Sequence, residues 1–267
     1  MTQWLINTLR DRVGHHRLLW LATQPRWSVD AQLRRLVPRR VSPHKIALVS
    51  MWDEGFRAIA DVTAANKAAY CRRHGYAWRP ITTLLAPHLP PAWSKIPSLL
   101  QVLPDYEWVM WTDADSIITN PAISLDRLIA TGADLVITAD HNGLNSGEFL
   151  IRRCPWSLAF LRAVLAASDD PAFLAKLRQE NTSLQSDGYY EQRAIMWLLD
   201  RYSEFRHVRM LPQRAMNSYA PGYHRSGPEA DHAPGDFILH LPGMDRATRL
   251  EIFARYLAEP SAKPPAA

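Results

Sequence analysis

From residue 45 onward, short apolar runs alternate with longer segments in which apolar residues recur at helical spacing, the pattern of strands and helices following one another through a mostly parallel sheet. The pattern predicts a first strand at "KIALVS" (45–50) and a helix over 56–75, with Ile59, Val62, Ala69 and Tyr70 near one face and Gly75 as its stop. "YAWRPI" (76–81) follows as a second strand. A connection rich in proline (Pro87, Pro90, Pro91) leads to a helix from about Ser94 to Leu103 and then to a strand over 108–112. Later strands are predicted at 133–138, 148–152 and 236–241, and helices near 156–167, 171–180, 188–202 and 245–258. The tail "EPSAKPPAA" (259–267) is Pro/Ala-rich and is expected to be disordered.

The strand over 108–112 runs directly into chemistry. In "WVMWTDADSIITNP" four apolar or aromatic residues, Trp108 to Trp111, precede Asp113 and Asp115, which flank Ala114. A run apolar on both faces suits a central strand, and in open α/β sheets ligands bind beyond the carboxyl ends of the strands. Residues i and i+2 of an extended segment point to the same side, so both carboxylates can converge on one cation. An Asp-x-Asp triplet also arises by chance, and a structural turn is the alternative at this point.

Composition narrows the classes. The 267 residues can bury a substantial core, and the pattern suits one catalytic domain (45–258) preceded by an extension (1–44). Two cysteines, Cys71 and Cys154, are too few for a disulfide scaffold and lack metal-finger spacing, which fits a reducing, cytoplasmic compartment. No stretch approaches the roughly 20 uninterrupted apolar residues of a membrane span, and no signal peptide is legible, so the mature chain is expected to begin at Met1. The net charge is +5, but residues 1–45 carry nine Lys or Arg against Asp11 and Asp30, which leaves the remainder slightly acidic. With Trp4, Trp20 and several leucines interleaved, this lead segment is expected either to lie on an anionic membrane surface, at the inner membrane face, or to pack as a surface helix on the domain. Nucleic acid is not expected as a partner.

Three further stretches bear on the carboxylates. "HNGLNSGEFLIR" places Asn145, Ser146 and Gly147 just before a strand, where small residues let backbone approach a ligand; an ordinary turn is the alternative. "YEQRAIMWLL" places Glu191 and Gln192 near a helix start, where Glu is also an ordinary first-turn residue. "GDFILHLPG" ends a strand with His240 before Pro242 and Gly243, and a lone His is more often structural than a ligand.

Taken in order, "WSKIPSLLQVL", "WVMWTDADSIITN", "NSGEFLIRRCPWSLAFL", "EQRAI", and "LH" with "PG" resemble glycosyltransferase family 34, the fungal α-galactosyl- and α-mannosyltransferases and plant xyloglucan xylosyltransferases, over roughly residues 45–245. The resemblance implies a GT-A fold, a divalent cation (manganese, with magnesium as the alternative), a UDP-sugar donor used with retention of configuration, and a glycan or lipid-linked acceptor. By position it implies Asp113 and Asp115 as metal and nucleotide ligands, His240 as the third protein ligand, and Asn145 to Gly147 along the sugar. Gln192 falls near the reacting carbon beside an acid matched by Glu191, and Lys95 matches a family lysine ahead of the metal strand, although a surface lysine explains it as well. Ser50, Ala114 and Gly243 complete the expected donor-binding set. Where plant members have a Cys and a phosphate-holding Lys after the last strand, this chain has Met244 and Asp245, with Arg246 expected to substitute. Galactose is the first choice of donor sugar. The rival readings are a haloacid-dehalogenase-like phosphohydrolase, which also places Asp-x-Asp after an apolar strand, and a non-catalytic nucleotide-sugar binding protein.

Overall fold

The computed structural model describes residues 41–129, 132–141, 143–179, 190–201, 204–222 and 227–258. The expectations for the lead segment up to residue 40 and for the tail at 259–267 lie outside the described residues. A six-stranded sheet has the order β2-β1-β3-β6-β5-β7. Its strands are β1 (Ile46–Met51), β2 (Ala77–Ile81), β3 (Trp108–Thr112), β5 (Leu135–Asp140), β6 (Gly143–Arg152) and β7 (Val208–Leu211). β1 is parallel to both β2 and β3, and β5 is parallel to β7; β6 runs antiparallel between β3 and β5. The sheet is thus mostly parallel, as predicted, with one reversed strand.

Alternation along the central strands fills both faces. Ala47, Val49, Val109 and Trp111 pack on one side with α2 (Lys95–Val102), α3 (Pro155–Ala166), α4 (Pro171–Gln179) and α5 (Glu191–Arg201). Ile46, Leu48, Trp108 and Met110 face the other side, where Tyr70 of α1 (Arg57–His74) joins them. Both faces are apolar because helices cover both. The Asp53 side chain accepts from the Phe56 amide ahead of α1, and α1 ends at Gly75, whose φ of 72° is the left-handed conformation glycine adopts freely.

A second sheet, β4-β9-β8, positions the site and was not legible in the pattern. It comprises β4 (Ser116–Ile118), β8 (Ser218–Tyr219) and β9 (Ile238–His240). β4 leaves the Asp-x-Asp turn and pairs antiparallel with β9 in a register that sets Ser116 opposite His240. The predicted strand over 236–241 is therefore shorter and belongs to this sheet. The predicted strand over 148–152 is longer than expected: β6 begins at Gly143, so Asn145 to Gly147 lie within it. The pairing of β5 with β6 jumps from Ile137↔Phe149 to Thr138↔Asn145, leaving Ser146, Gly147 and Glu148 without partners on β5. β3 still pairs Thr112 with Glu148, so the irregularity swings this segment toward the end of β3. No helix among the described residues is long and apolar enough to cross a membrane. The last helix, α6 (Arg246–Ala258), packs against α1.

Candidate functional site

The turn carrying the carboxylates is held from below by one face of α1. Thr63 Oγ1 donates to the Ala114 carbonyl at 2.7 Å, Lys67 Nζ to the Asp113 carbonyl at 2.5 Å, and the Asn66 side chain bonds both N–H and C=O of Ile118. Residues 63, 66 and 67 share a helical face by the i, i+3, i+4 rule, and together they satisfy backbone groups that a tight turn would leave bare. From the sheet side, the Asp113 amide donates to the Gly147 carbonyl at 2.9 Å, and Trp111 Nε1 donates to Asp113 Oδ1 at 2.6 Å.

On this turn Asp113 and Asp115 meet His240. One ligand atom from each of the three lies within 4.8 Å of the others. His240 Nε2 is 3.4 Å from Asp115 Oδ1 and 3.9 Å from Asp113 Oδ2. Its other ring nitrogen, Nδ1, lies 2.8 Å from Asn217 Oδ1, and the Asn217 amide nitrogen donates to Thr138, which orients that amide as an acceptor. Nδ1 therefore carries the proton in the neutral ring, and Nε2 turns its lone pair to the carboxylates. Nε2 is buried and has no hydrogen-bond partner among the described residues. An imidazole fixed through one nitrogen with the other aimed at two carboxylates is a fit for a divalent cation.

Electrostatics at the site are tightly coupled. Burial opposes charge on His240, but the nearby carboxylates of Asp115, Asp113 and Glu148 outweigh it and raise the imidazole pKa. Burial likewise opposes charge on Asp115, yet His240 and Arg249 bring its pKa below the usual carboxylate value. Beneath them Glu148, fully buried in β6, is pushed up to about 8 by burial, and burial lowers Lys67 to about 8.

A cleft of about 600 Å³ opens beside these groups. Asp113, Ala114, Asp115, Asn145, Ser146, Gly147, Glu191, Gln192, Lys95, His240 and Gly243, all singled out in the sequence, line it. Lys95 is buried, not a surface lysine: Nζ contacts Glu191 Oε1 at 2.6 Å, the Ser146 carbonyl at 2.8 Å and Asp113 Oδ1 at 3.3 Å. Glu191, the first residue of α5, also accepts from Ser146 Oγ at 2.8 Å, while its Oε2 is buried without a partner among the described residues. Gln192 Oε1 accepts from the Ser146 amide at 2.9 Å. Asn145 lines the cleft, but its amide is committed internally, donating to Asp140 and Tyr219 and accepting from the Gly147 N–H.

Two expected donor-binding residues are not among the lining residues. Ser50 alternates onto the Leu48 face of β1, away from Met51, which does line the cleft. Arg246 is exposed at the start of α6 and donates to the Gly55 carbonyl at 3.1 Å. In its place stands Arg249, one turn later on α6, which lines the cleft and pairs with Asp115 Oδ2 at 2.8 Å. Arg249, Lys67 and Glu148 were not expected. The available signal was a lysine on the inward face of α1 and a glutamate inside an otherwise apolar strand; nothing in the sequence separates Arg249 from its basic neighbours.

Comparison with known proteins identifies the family. The galactosyl transferase GMA12/MNN10 family profile matches residues 50–135 and 130–250. "Probable glycosyltransferase 6" of Oryza sativa subsp. japonica is 34% identical over 155 residues, covering 52% of this chain and 32% of that protein. "Probable alpha-1,2-galactosyltransferase gmh1" of Schizosaccharomyces pombe is 27% identical over 220 residues, covering 67% of this chain and 61% of that one. The chain thus spans about a third of the rice protein's length and less than two thirds of the yeast protein's. A glycosyltransferase involved in the glycosylation of the major capsid of PBCV-1 superposes with a TM-score of 0.58 at 16% identity, over 79% of this chain and 98% of that one. The fold is therefore of GT-A type, and the phosphohydrolase alternative falls away. The chain belongs to glycosyltransferase family 34, the galactosyl transferase GMA12/MNN10 family.

Proposed function

We propose that this chain is a metal-dependent, retaining glycosyltransferase that moves a sugar, galactose as first candidate, from a UDP-sugar to a hydroxyl of a glycan or lipid-linked acceptor, forming an α-linkage. The observation that supports it best is the convergence of Asp113, Asp115 and the partnerless His240 Nε2 at the edge of the cleft. Galactose is favoured by the name of the yeast relative. We assign the catalytic unit to residues 45–258.

Asp113, Asp115 and His240 would hold the cation, with manganese favoured over magnesium because an imidazole joins the carboxylates. When bound, that cation supplies charge stabilisation for the departing nucleoside diphosphate. The Asn217 bond fixes the ring so that Nε2 stays a ligand. Lys95 ties Glu191 and the Ser146 carbonyl together, so the floor of the cleft is set before substrate arrives. Glu191, paired with Lys95, is placed to stabilise positive charge developing on the sugar rather than to attack it. Gln192, fixed by the Ser146 amide, positions the sugar. In front-face transfer a phosphate oxygen of the leaving group takes the acceptor proton, so no protein base is required.

A thermal-shift screen of UDP, GDP and their sugars, with and without manganese, tests the reading, since a ligand that binds the native state raises apparent stability. UDP compounds with manganese should stabilise most; stabilisation by GDP compounds alone would refute the donor class. Proton NMR of the first-formed product decides the stereochemistry, and a β-linked product from an α-linked donor would remove the retaining assignment. Stabilisation without turnover across acceptors would favour a nucleotide-sugar binding protein.

A further inference from the structure

Arg249 stands where two opposite demands meet. Its Nη2 donates to Asp115 Oδ2 at 2.8 Å, and its Nε donates to the Leu241 carbonyl at 2.9 Å. The guanidinium carbon sits 5.3 Å above the Phe56 ring, and Phe56 and Arg249 both line the cleft. The side chain is only 11% exposed. Asp115 presents its other oxygen, Oδ1, to His240 Nε2. The two carboxylate oxygens thus face different side chains, and Arg249 holds one of them.

Among the described residues, these two bonds occupy two of the five N–H donors of the guanidinium. A guanidinium with unused donors, fixed by a carboxylate, a carbonyl and an aromatic face at the wall of a cleft, is suited to phosphate oxygens. The same positive charge repels a cation settling on Asp115. Arg246, by contrast, is exposed and turned to the Gly55 carbonyl.

We propose that Arg249 is the diphosphate-binding cation of this cleft, and that its ion pair with Asp115 holds metal affinity down until a nucleoside diphosphate arrives, so that cation and nucleotide load together. This rests on the nucleotide-sugar reading above. Before loading, the guanidinium offsets the charge of Asp115, so a lone divalent ion meets a weakened site. A diphosphate brings negative charge to both, and the guanidinium then repels the ion less than it attracts the phosphates. By linkage, each ligand raises the affinity for the other by the same factor.

The test compares the full chain with its Arg249→Met and Arg249→Lys variants, each confirmed to melt cooperatively. Manganese affinity is read by electron paramagnetic resonance of the free ion, with and without UDP, and UDP affinity by calorimetry at saturating manganese. Arg249→Met should bind manganese alone about threefold more tightly, from loss of a nearby positive charge. It should bind UDP about tenfold or more weakly, from loss of charge-assisted hydrogen bonds, so that the mutual enhancement shrinks. Arg249→Lys, which keeps the charge but not the fork, should fall between in UDP affinity. Weaker manganese binding by Arg249→Met in the absence of nucleotide would mean the residue only orients Asp115, and would overturn the proposal, as would unchanged UDP affinity. Failure of the wild-type chain to bind UDP with manganese would instead remove the functional reading itself.

Discussion

Gly147→Ala tests how tightly the site is built, because Gly147 sits against the imidazole of His240. A Cβ added there would lie well inside 3.0 Å of His240 Cε1, and 2.9 Å from both His240 Nδ1 and Asn145 Oδ1. Carbon atoms in contact settle at ~3.5–4.0 Å, so the ring or the strand must move by about 1 Å. The ring has little room: it is buried, bonded to Asn217 on one side and facing both carboxylates on the other. Overpacking of this kind costs about 1–3 kcal/mol, which lowers the melting temperature by roughly 2–4 °C per kcal/mol for a chain of this size. The shift also carries Nε2 away from Asp113 and Asp115, so manganese affinity should fall with stability. His240→Ala removes the clashing ring, and in the double variant the new methyl group occupies the space it leaves. The two substitutions should therefore be non-additive, with an interaction energy of about 1 kcal/mol or more. Thermal melts of the four proteins and manganese titrations of the wild type and Gly147→Ala make the measurement. Additive stabilities, or Gly147→Ala with undiminished manganese affinity, would refute the reasoning.

Glu148 should make the metal-free protein less stable as pH rises. Its folded pKa, pushed up to about 8 by burial, lies above the unfolded value of 4.5, so the folded state holds a proton that the unfolded state has already lost. Stability then falls between those two values with a slope of up to about 1.4 kcal/mol per pH unit; His240, with its raised pKa, adds a loss of the same sign only above 6.5. Urea melts at about pH 5 and about pH 6 in chelator should show stability changing with pH more negatively in the wild type than in Glu148→Gln, His232, with its lowered pKa, adding the same opposite-signed change to both; the same pH dependence in both would discard the assignment. At the reacting end, Gln192→Ala should retain UDP affinity and lose roughly tenfold or more in kcat, as expected for a group acting in the transition state. Glu191→Gln should lose rate yet keep residual transfer, and complete loss of transfer in a folded Glu191→Gln protein would point to an obligatory carboxylate.

The parts of this molecule that could be read in advance are those in which one local pattern has one physical solution. The all-apolar Trp108–Trp111 run suits a doubly covered strand, and the carboxylates emerge from its end as expected. The helix after Gly55 follows from periodicity and its Gly75 stop, and the helix after Cys154 was likewise placed in advance. The second sheet was hidden because its strands are only two or three residues long, too short to carry a period; the antiparallel register of Ser116 with His240 is a tertiary fact. Asn145 to Gly147, expected just before a strand, lie within it, and the small residue there relieves crowding where Gly147 meets His240. For Lys95 the surface alternative stayed open because sequence cannot show that Glu191, 96 residues away, neutralises it. Arg249 was missed for the reverse reason: three basic residues lie within 246–255, and only the packing of α6 against α1 decides which one reaches Asp115.

The central claim is that Asp113, Asp115 and His240 form a cation site through which a nucleoside diphosphate is held. Calorimetric titration of UDP into the wild-type chain and Asp115→Ala, each with manganese and with chelator, measures this directly. Asp115→Ala removes a carboxylate at the surface of the cleft without emptying the core, and its melting curve is the control for folding. UDP should bind the wild type with manganese, lose about tenfold or more in affinity with chelator, and show no manganese dependence in Asp115→Ala. Equal UDP affinity with manganese and with chelator in the wild type, or unchanged manganese dependence in Asp115→Ala, would contradict it.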